Sequence, residues 1–163
     1  MNRFLLSAFL VQSNKIEGEE WFELPDEAME FALAHVGKNV HPLDILRLHE
    51  LHRKPFTNFH GGKEPITFGA WRKHDVRVGN WLAPNHGKVN GLMAEYCSDW
   101  PKMNAWEAHC RFESIHPFED LNGRVGRLLW LIKAVENGYD GRISFLRMFY
   151  YQTLKNYLPP PLK

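Results

Sequence analysis

Cysteine is scarce in this chain: two thiols, Cys97 and Cys110, in 163 residues. They form neither a CxxC pair nor a disulfide framework, so a reducing, cytoplasmic setting is the simplest expectation for two buried thiols. Long apolar runs are missing too. No stretch approaches the ~20 residues that a membrane span needs, and the opening MNRFLLSAFLVQ has one arginine and a short apolar run with no small-residue cleavage site after it. The third absence is an excess of charge of one sign. Lysine plus arginine (20) nearly balances aspartate plus glutamate (19), which excludes a global field of the kind that draws in nucleic acid or an anionic membrane. Neither is expected as a partner, and any partner must be read from local features.

Material for a core is plentiful, with 44 % apolar residues, 13 % of the chain being aromatic. At this length the expectation is one domain over residues 1–163, burying roughly two-thirds of its unfolded surface. Phe4, Leu5, Ala8, Phe9 and Val11 recur at helical spacing and Gly18 is a reasonable stop, so residues 2 to 17 read as an amphipathic helix. LPDEAMEFALAHVGK, with Asp26 and Glu27 at its start and Gly37 near its end, reads as a second. HPLDILRLHELHRKP reads as a third, terminated by Pro55. Helical periodicity returns over residues 85–96, 102–115, 122–136 and 143–157, and LPPPLK (158–163) reads as a tail. Between these helices FTNFHGGKEPITFGAWRKHDVRVGNWLAP is rich in glycine, proline and aromatics, with β-prone runs at Thr67 to Trp71 and Val76 to Val78. It predicts a surface loop with a two-stranded hairpin, and an isolated hairpin is marginal in water, so this one should act as a flap. The fold class expected is all-α with one β-hairpin.

Chemistry concentrates in HPFEDLNGRVGR, residues 116–127. Pro117 disfavours helix at His116, so the preceding helix should end there with the imidazole available as a general base near neutral pH. Asn122 reads as the N-cap of the next helix, whose exposed amides and positive dipole end make an anion site. Gly123 lets an anion approach the backbone, and Arg124 and Arg127, three apart, can both grip phosphate oxygens. Asp120 can hold Mg²⁺, which commonly takes one or two carboxylates plus substrate phosphates. These are ingredients of a nucleoside triphosphate site, although no Walker GxxxxGK[ST] is present.

The stretch resembles the signature of the Fic family, HxFx[D/E]GN[G/K]RxxR. His116, Phe118, Asp120, Asn122, Gly123, Arg124 and Arg127 match, and Leu121 stands where the family usually has glycine, or alanine in its Doc branch. GAWRKHDVRVGNWLAP resembles the family's flap, placed at residues 64–84, and residues 102–137 its helix–loop–helix core. The resemblance implies a helical Fic domain that transfers AMP from ATP, with Mg²⁺, to a Ser, Thr or Tyr hydroxyl of an unidentified protein docked on the flap. It implies His116 as base and Asp120 as metal ligand. It gives the α-phosphate to Asn122 and Gly123, the β- and γ-phosphates to Arg124 and Arg127, and a core anchor to Phe118. A homo-oligomer is compatible with it.

A second match, SNKIEG at residues 13–18, resembles the family's inhibitory motif [S/T]xxxE[G/N], carried by Ser13, Glu17 and Gly18 in a helix over residues 1–20. Independently, Glu17 falls in the last turn of its helix, where the dipole disfavours a negative charge by a few tenths to ~1 kcal/mol, so a cation should compensate it. The resemblance names Arg127 and implies autoinhibition.

Other constellations read more plainly. His49 and His52 are three apart, not at the HExxH spacing, and no third ligand accompanies them, so packing is expected rather than zinc. The tryptophans suit core and flap packing, since no basic stripe accompanies them. Arg72 and Arg77 are expected as exposed edge-protecting residues of the hairpin. Alternatives to AMP transfer are a silent nucleotide-binding domain, motivated by Leu121 if that position needs positive φ, and a Doc-like phosphotransferase toxin, against which Gly123 stands because that branch has lysine there. A member that removes AMP with Glu17 orienting water, and a non-enzymatic helical module, complete the set.

Overall fold

Five helices with defined bounds and one short hairpin carry the described residues. The computed structural model describes residues 9, 11–13, 15–16, 26–52, 66–78 and 80–139. The helices are α1 (Asp26–Ala34), α2 (Pro42–Glu50), α3 (Val89–Asp99), α4 (Ala105–Ile115) and α5 (Asn122–Glu136), with β1 (Arg77–Val78) and β2 (Trp81–Leu82) between α2 and α3. The architecture is mostly helical with a small two-stranded antiparallel sheet. Helices expected over 143–157, the tail, and Glu17 with Gly18 lie outside the described residues. The described N-terminal residues are helical, and Phe9, Ser13 and Ile16, at helical spacing, are all buried.

Local chemistry explains where the helices begin. Pro42 sits in the first turn of α2, where its missing N–H costs nothing, and the His41 N–H donates to Asp44 Oδ2 at 2.8 Å. α4 opens on a reciprocal capping box: Glu107 N–H donates to Asn104 Oδ1 at 2.9 Å while Asn104 N–H donates to Glu107 Oε2 at 3.0 Å. It begins at Ala105 rather than Lys102, because Trp100–Lys102 forms a separate 3-10 turn. α2 ends at Glu50, ahead of the Pro55 stop.

The hairpin differs from expectation. Arg77 pairs with Leu82 and Val78 with Trp81, so the second strand is Trp81–Leu82, and no strand forms over Thr67 to Trp71. The backbone there is engaged elsewhere. Thr67 N–H donates to Glu119 Oε2 at 3.3 Å and Gly69 N–H to His49 Nδ1 at 3.0 Å, which removes these donors from any ladder. The sequence signal for this hairpin is the Gly79-Asn80 dipeptide between Arg77-Val78 and Trp81-Leu82.

One core joins the helices. Ile45 and Leu48 of α2, Met93 and Tyr96 of α3, Phe112 and Ile115 of α4, and Val125, Leu128, Leu129, Leu131 and Ile132 of α5 meet around Phe118 and Trp100. Each large apolar side chain so buried is worth roughly 1.5–3 kcal/mol against leaving it in water. Tyr96 enters by donating its hydroxyl to the Ala108 carbonyl at 3.2 Å. Lys133 reaches Glu136 at 3.1 Å with its ammonium 5.0 Å from the Trp100 ring centroid.

Candidate functional site

The six-residue loop between α4 and α5 is built on two left-handed residues. α4 ends at Ile115 and His116 takes φ 50, ψ 60, the left-handed conformation that commonly closes a helix, with Pro117 barring its continuation. At the far end Leu121 takes φ 65, ψ 9, and serves as the N-cap of α5. A non-glycine residue in this region costs roughly 1–2 kcal/mol. Leu121 is nonetheless 5 % exposed, so burial of its side chain offsets the strain.

Asn122 is not the N-cap the sequence suggested. It is the first residue of α5, and its amide turns back into the loop: Phe118 N–H donates to Oδ1 at 2.9 Å and Nδ2 donates to the Phe118 carbonyl at 3.0 Å. That clamp uses both ends of the amide, which is why it cannot also cap. Leu121 supplies no side-chain cap either. The start of α5 thus has no side-chain cap at its N-cap residue, which suits an outside acceptor. Asp120 is exposed at the loop's rim, with Oδ1 receiving the Leu121 N–H at 2.7 Å.

Phe118 holds the loop from below, as expected of a core anchor. It is fully buried and stacks on the His49 ring at 3.8 Å between centroids and 7° between planes, with Trp71 at 5.2 Å. His49 and His52 are accordingly packing residues. His52 Nδ1 is 2.8 Å from the Leu48 carbonyl. Burial pushes His49 down to about 3, helped by the charge of His52. It pushes His52 down to about 4, with the positive charges of Arg124 and Arg127 acting in the same direction.

Arg124 and Arg127 are themselves buried, at 8 % and 0 % exposure. Arg127 donates Nε to Ser13 Oγ at 2.6 Å and Nη2 to the Ser13 carbonyl at 3.0 Å, bridging 114 residues of sequence. Of the N-terminal pattern, the structure brings Ser13 to Arg127.

Two contributors escaped the sequence reading. Arg72 is no edge-protecting residue: its side chain is fully buried. Its Nε donates to the His116 carbonyl at 2.8 Å, Nη1 to the His74 carbonyl at 2.9 Å, and Nη2 to the Pro84 carbonyl. Its own N–H donates to the Pro117 carbonyl at 2.9 Å. The flap is thereby tied to the loop on both sides of the His116–Pro117 bond. The flap base is locked in turn by Asp75, which accepts from His86 N–H at 2.7 Å and lies 2.9 Å from the His86 ring, contacts that pull its carboxyl down to about 2. The second contributor is Glu113, 3.7 Å through Oε2 from His116 Nδ1 and almost wholly buried.

Among the described residues no three His, Cys, Asp or Glu side chains converge as metal ligands. A cation bound by one exposed carboxylate plus substrate oxygens fits the donors at the loop rim, since Mg²⁺ keeps much of its water and takes few protein ligands.

Comparison with known proteins agrees with this geometry. The sequence profile of the Fic/DOC family matches residues 42–132. Protein adenylyltransferase Fic of Drosophila willistoni is 33 % identical over 141 residues, 80 % of this chain and 27 % of that protein. The Drosophila melanogaster protein of the same name is 33 % identical over 141 residues, covering 80 % of this chain and 28 % of its own length. The chain thus spans about a quarter of these curated relatives. Among solved structures, a Fic domain containing signaling protein from Bacteroides thetaiotaomicron superposes with a TM-score of 0.67 at 19 % identity, over 95 % of this chain and 70 % of that one, which shows the same fold. With the profile spanning α2 to α5 and the signature loop folded between α4 and α5, this chain belongs to the Fic/DOC family.

Proposed function

We propose that this chain transfers AMP from ATP to a protein hydroxyl and that its N-terminal helix restrains the reaction. The observation that carries the reading is the start of α5, which has no side-chain cap and is flanked by Arg124 and Arg127, one loop away from His116. An uncapped helix start with two guanidiniums suits a polyphosphate. The relatives named protein adenylyltransferase support the same chemistry.

In this reading the backbone at Asn122 and Gly123 receives the α-phosphate, and Arg124 and Arg127 take the outer phosphates. The Asn122 side chain acts indirectly, by holding the loop through Phe118. His116 accepts the proton of the target hydroxyl as its oxygen attacks the α-phosphorus. The bond to the bridging oxygen breaks, and pyrophosphate leaves with the electron pair. Asp120 would hold Mg²⁺, which supplies charge neutralisation on the phosphates when bound. Positioning and charge stabilisation carry most of the rate. The flap, tied to His116 by Arg72, is the proposed dock for the target segment.

Restraint is supported by the Ser13–Arg127 contact. Two edges of the guanidinium that would meet the outer phosphates are engaged by a residue of the SNKIEG pattern. Glu17, which the resemblance places against the same arginine, remains the proposed inhibitory acid, with Gly18 ending its helix.

A second reading is favoured by one specific observation, the positive φ of Leu121. A strained leucine where the family carries glycine suits a domain that binds nucleotide and transfers little. Incubation with α- or γ-labelled ATP and Mg²⁺ separates the readings. Adenylyl transfer predicts α-label on protein that disappears in His116→Ala. γ-label on protein would indicate phosphotransfer. A silent domain would bind ATP, leave protein unlabelled, and gain transfer in Leu121→Gly.

A further inference from the structure

α4 and α5 approach closely at Gly126. An ideal Cβ there would lie 2.5 Å from Glu113 Oε1, 3.0 Å from Phe112 Cδ1 and 3.1 Å from His109 Nδ1. The room that a side chain would have taken holds a carboxylate. A buried carboxylate is costly without a charged or hydrogen-bonding partner, and Glu113 is 6 % exposed. Its second oxygen, Oε2, lies 3.7 Å from His116 Nδ1, three residues along the chain.

We infer that Glu113 is the positioning residue for His116. A carboxylate on the Nδ1 side fixes the ring and its tautomer with Nδ1 protonated, which leaves Nε2 as the atom that accepts a proton. It also stabilises the imidazolium that forms when the hydroxyl proton arrives, without becoming protonated itself, in the manner of the acid behind a hydrolase histidine. At 3.7 Å the contact is longer than a hydrogen bond, and contacts of this kind tighten when substrate is in place. Arg72 fixes the other half of the residue by holding the His116 carbonyl. Ring and backbone thus meet different elements, the ring α4 and the backbone the flap segment. Gly126 belongs to the same device, since a methyl group there would collide with Oε1.

The inference rests on the adenylyl-transfer reading for its reaction, while the contact itself does not. The charged and titratable groups around the pair are Tyr96 on α3 and Cys110 and His109 on α4, Arg127 on α5, and Arg72 of the flap segment at the His116 carbonyl. Glu113→Gln changes none of them and preserves shape.

Two readouts test the proposal on the full chain. The first is the titration of the His116 ring followed by NMR without nucleotide, its resonance assigned by its loss in His116→Ala. Removing a carboxylate from the imidazolium predicts a midpoint lower by ~1 pH unit in Glu113→Gln. The shorter Glu113→Asp, which keeps the charge, should recover part of that shift. The second is the α-label transfer rate against pH. Here kcat should fall on the order of 10- to 100-fold, KM for ATP should change less than ~2-fold, and the acidic limb should move to lower pH. An unaltered His116 titration in both variants overturns the inference whatever the activity. A shifted titration with no transfer by any protein would uphold the contact and retire the transfer reading.

Discussion

Arg72 and Arg127 are both buried arginines that bridge distant parts of the chain, and they are built for different purposes. Arg72 spends its guanidinium on three backbone carbonyls, those of His116, His74 and Pro84. Those acceptors cannot leave without unfolding the flap base, so Arg72 is a permanent brace. Arg127 meets Ser13 through its hydroxyl and its carbonyl. Ser13 lies on the N-terminal segment, whose Phe9 stacks on Trp130 of α5 at 5.8 Å between centroids, and the two oxygens it offers Arg127 are acceptors of the kind a phosphate could replace. The difference lies in what accepts the hydrogen bonds: three carbonyls of the flap and the signature loop on one side, a serine of the N-terminal segment on the other.

Acid should act most strongly, and on the Arg127 side. His52 and His109 are held near 4 and 3 by burial with Arg127 adding its charge, and His49 is held near 3. Their pKa values are lower folded than unfolded. The unfolded chain therefore takes up protons that the folded rings refuse, and stability is lost as pH falls from ~6.5 toward 4. Each ring approaches about 1.4 kcal/mol per pH unit below ~6.5, so the three together predict a loss on the order of 5 kcal/mol between pH 6.5 and 5. Urea midpoints at these two values measure it.

Breaking the brace comes next. Arg72→Met leaves three carbonyls without their donor and should cost ~3–5 kcal/mol by urea unfolding. Activity should fall with it, because the His116 backbone loses its tie. Ser13→Ala, by contrast, should cost only ~1.5 kcal/mol, the worth of one hydrogen bond to a charged group. Its ATP affinity by calorimetry should rise, since Arg127 loses its Nε contact with the Ser13 hydroxyl. A loss of affinity in Ser13→Ala would erase the distinction between the two arginines.

The smallest effect is expected at Leu121. Replacing it with glycine relieves ~1–2 kcal/mol of backbone strain but forfeits a buried side chain worth roughly 2 kcal/mol. The net change in unfolding free energy should stay within about 1 kcal/mol. Leu121→Val, β-branched in the same conformation, should cost more than Leu121→Gly.

Legibility in the sequence followed locality. The spacing from His116 to Arg127 and the helix break at Pro117 were readable, because each depends on residues a few positions apart. The positive φ at Leu121 was readable as a question, from a leucine where glycine is usual. Asn122 was misread because an asparagine before a helical run is equally suited to capping and to clamping the preceding loop, and only the Phe118 peptide decides between them. Arg72 was invisible for a different reason. Its acceptors are carbonyls, which every residue carries, and one of them lies 44 positions away. Thr67 to Trp71 has β-prone side chains, yet its donors go to Glu119 and His49, a tertiary choice that outweighs propensity.

The most direct test is intact-mass measurement after incubation with ATP and Mg²⁺ of four proteins: wild type, Glu17→Gly, Ser13→Ala, and Glu17→Gly combined with His116→Ala. A restrained adenylyltransferase predicts little self-modification of the wild type, an added AMP on Glu17→Gly and Ser13→Ala, and none on the double variant. An AMP adduct that persists without His116, or a Glu17→Gly protein that binds ATP yet gains no adduct over wild type, would contradict the account.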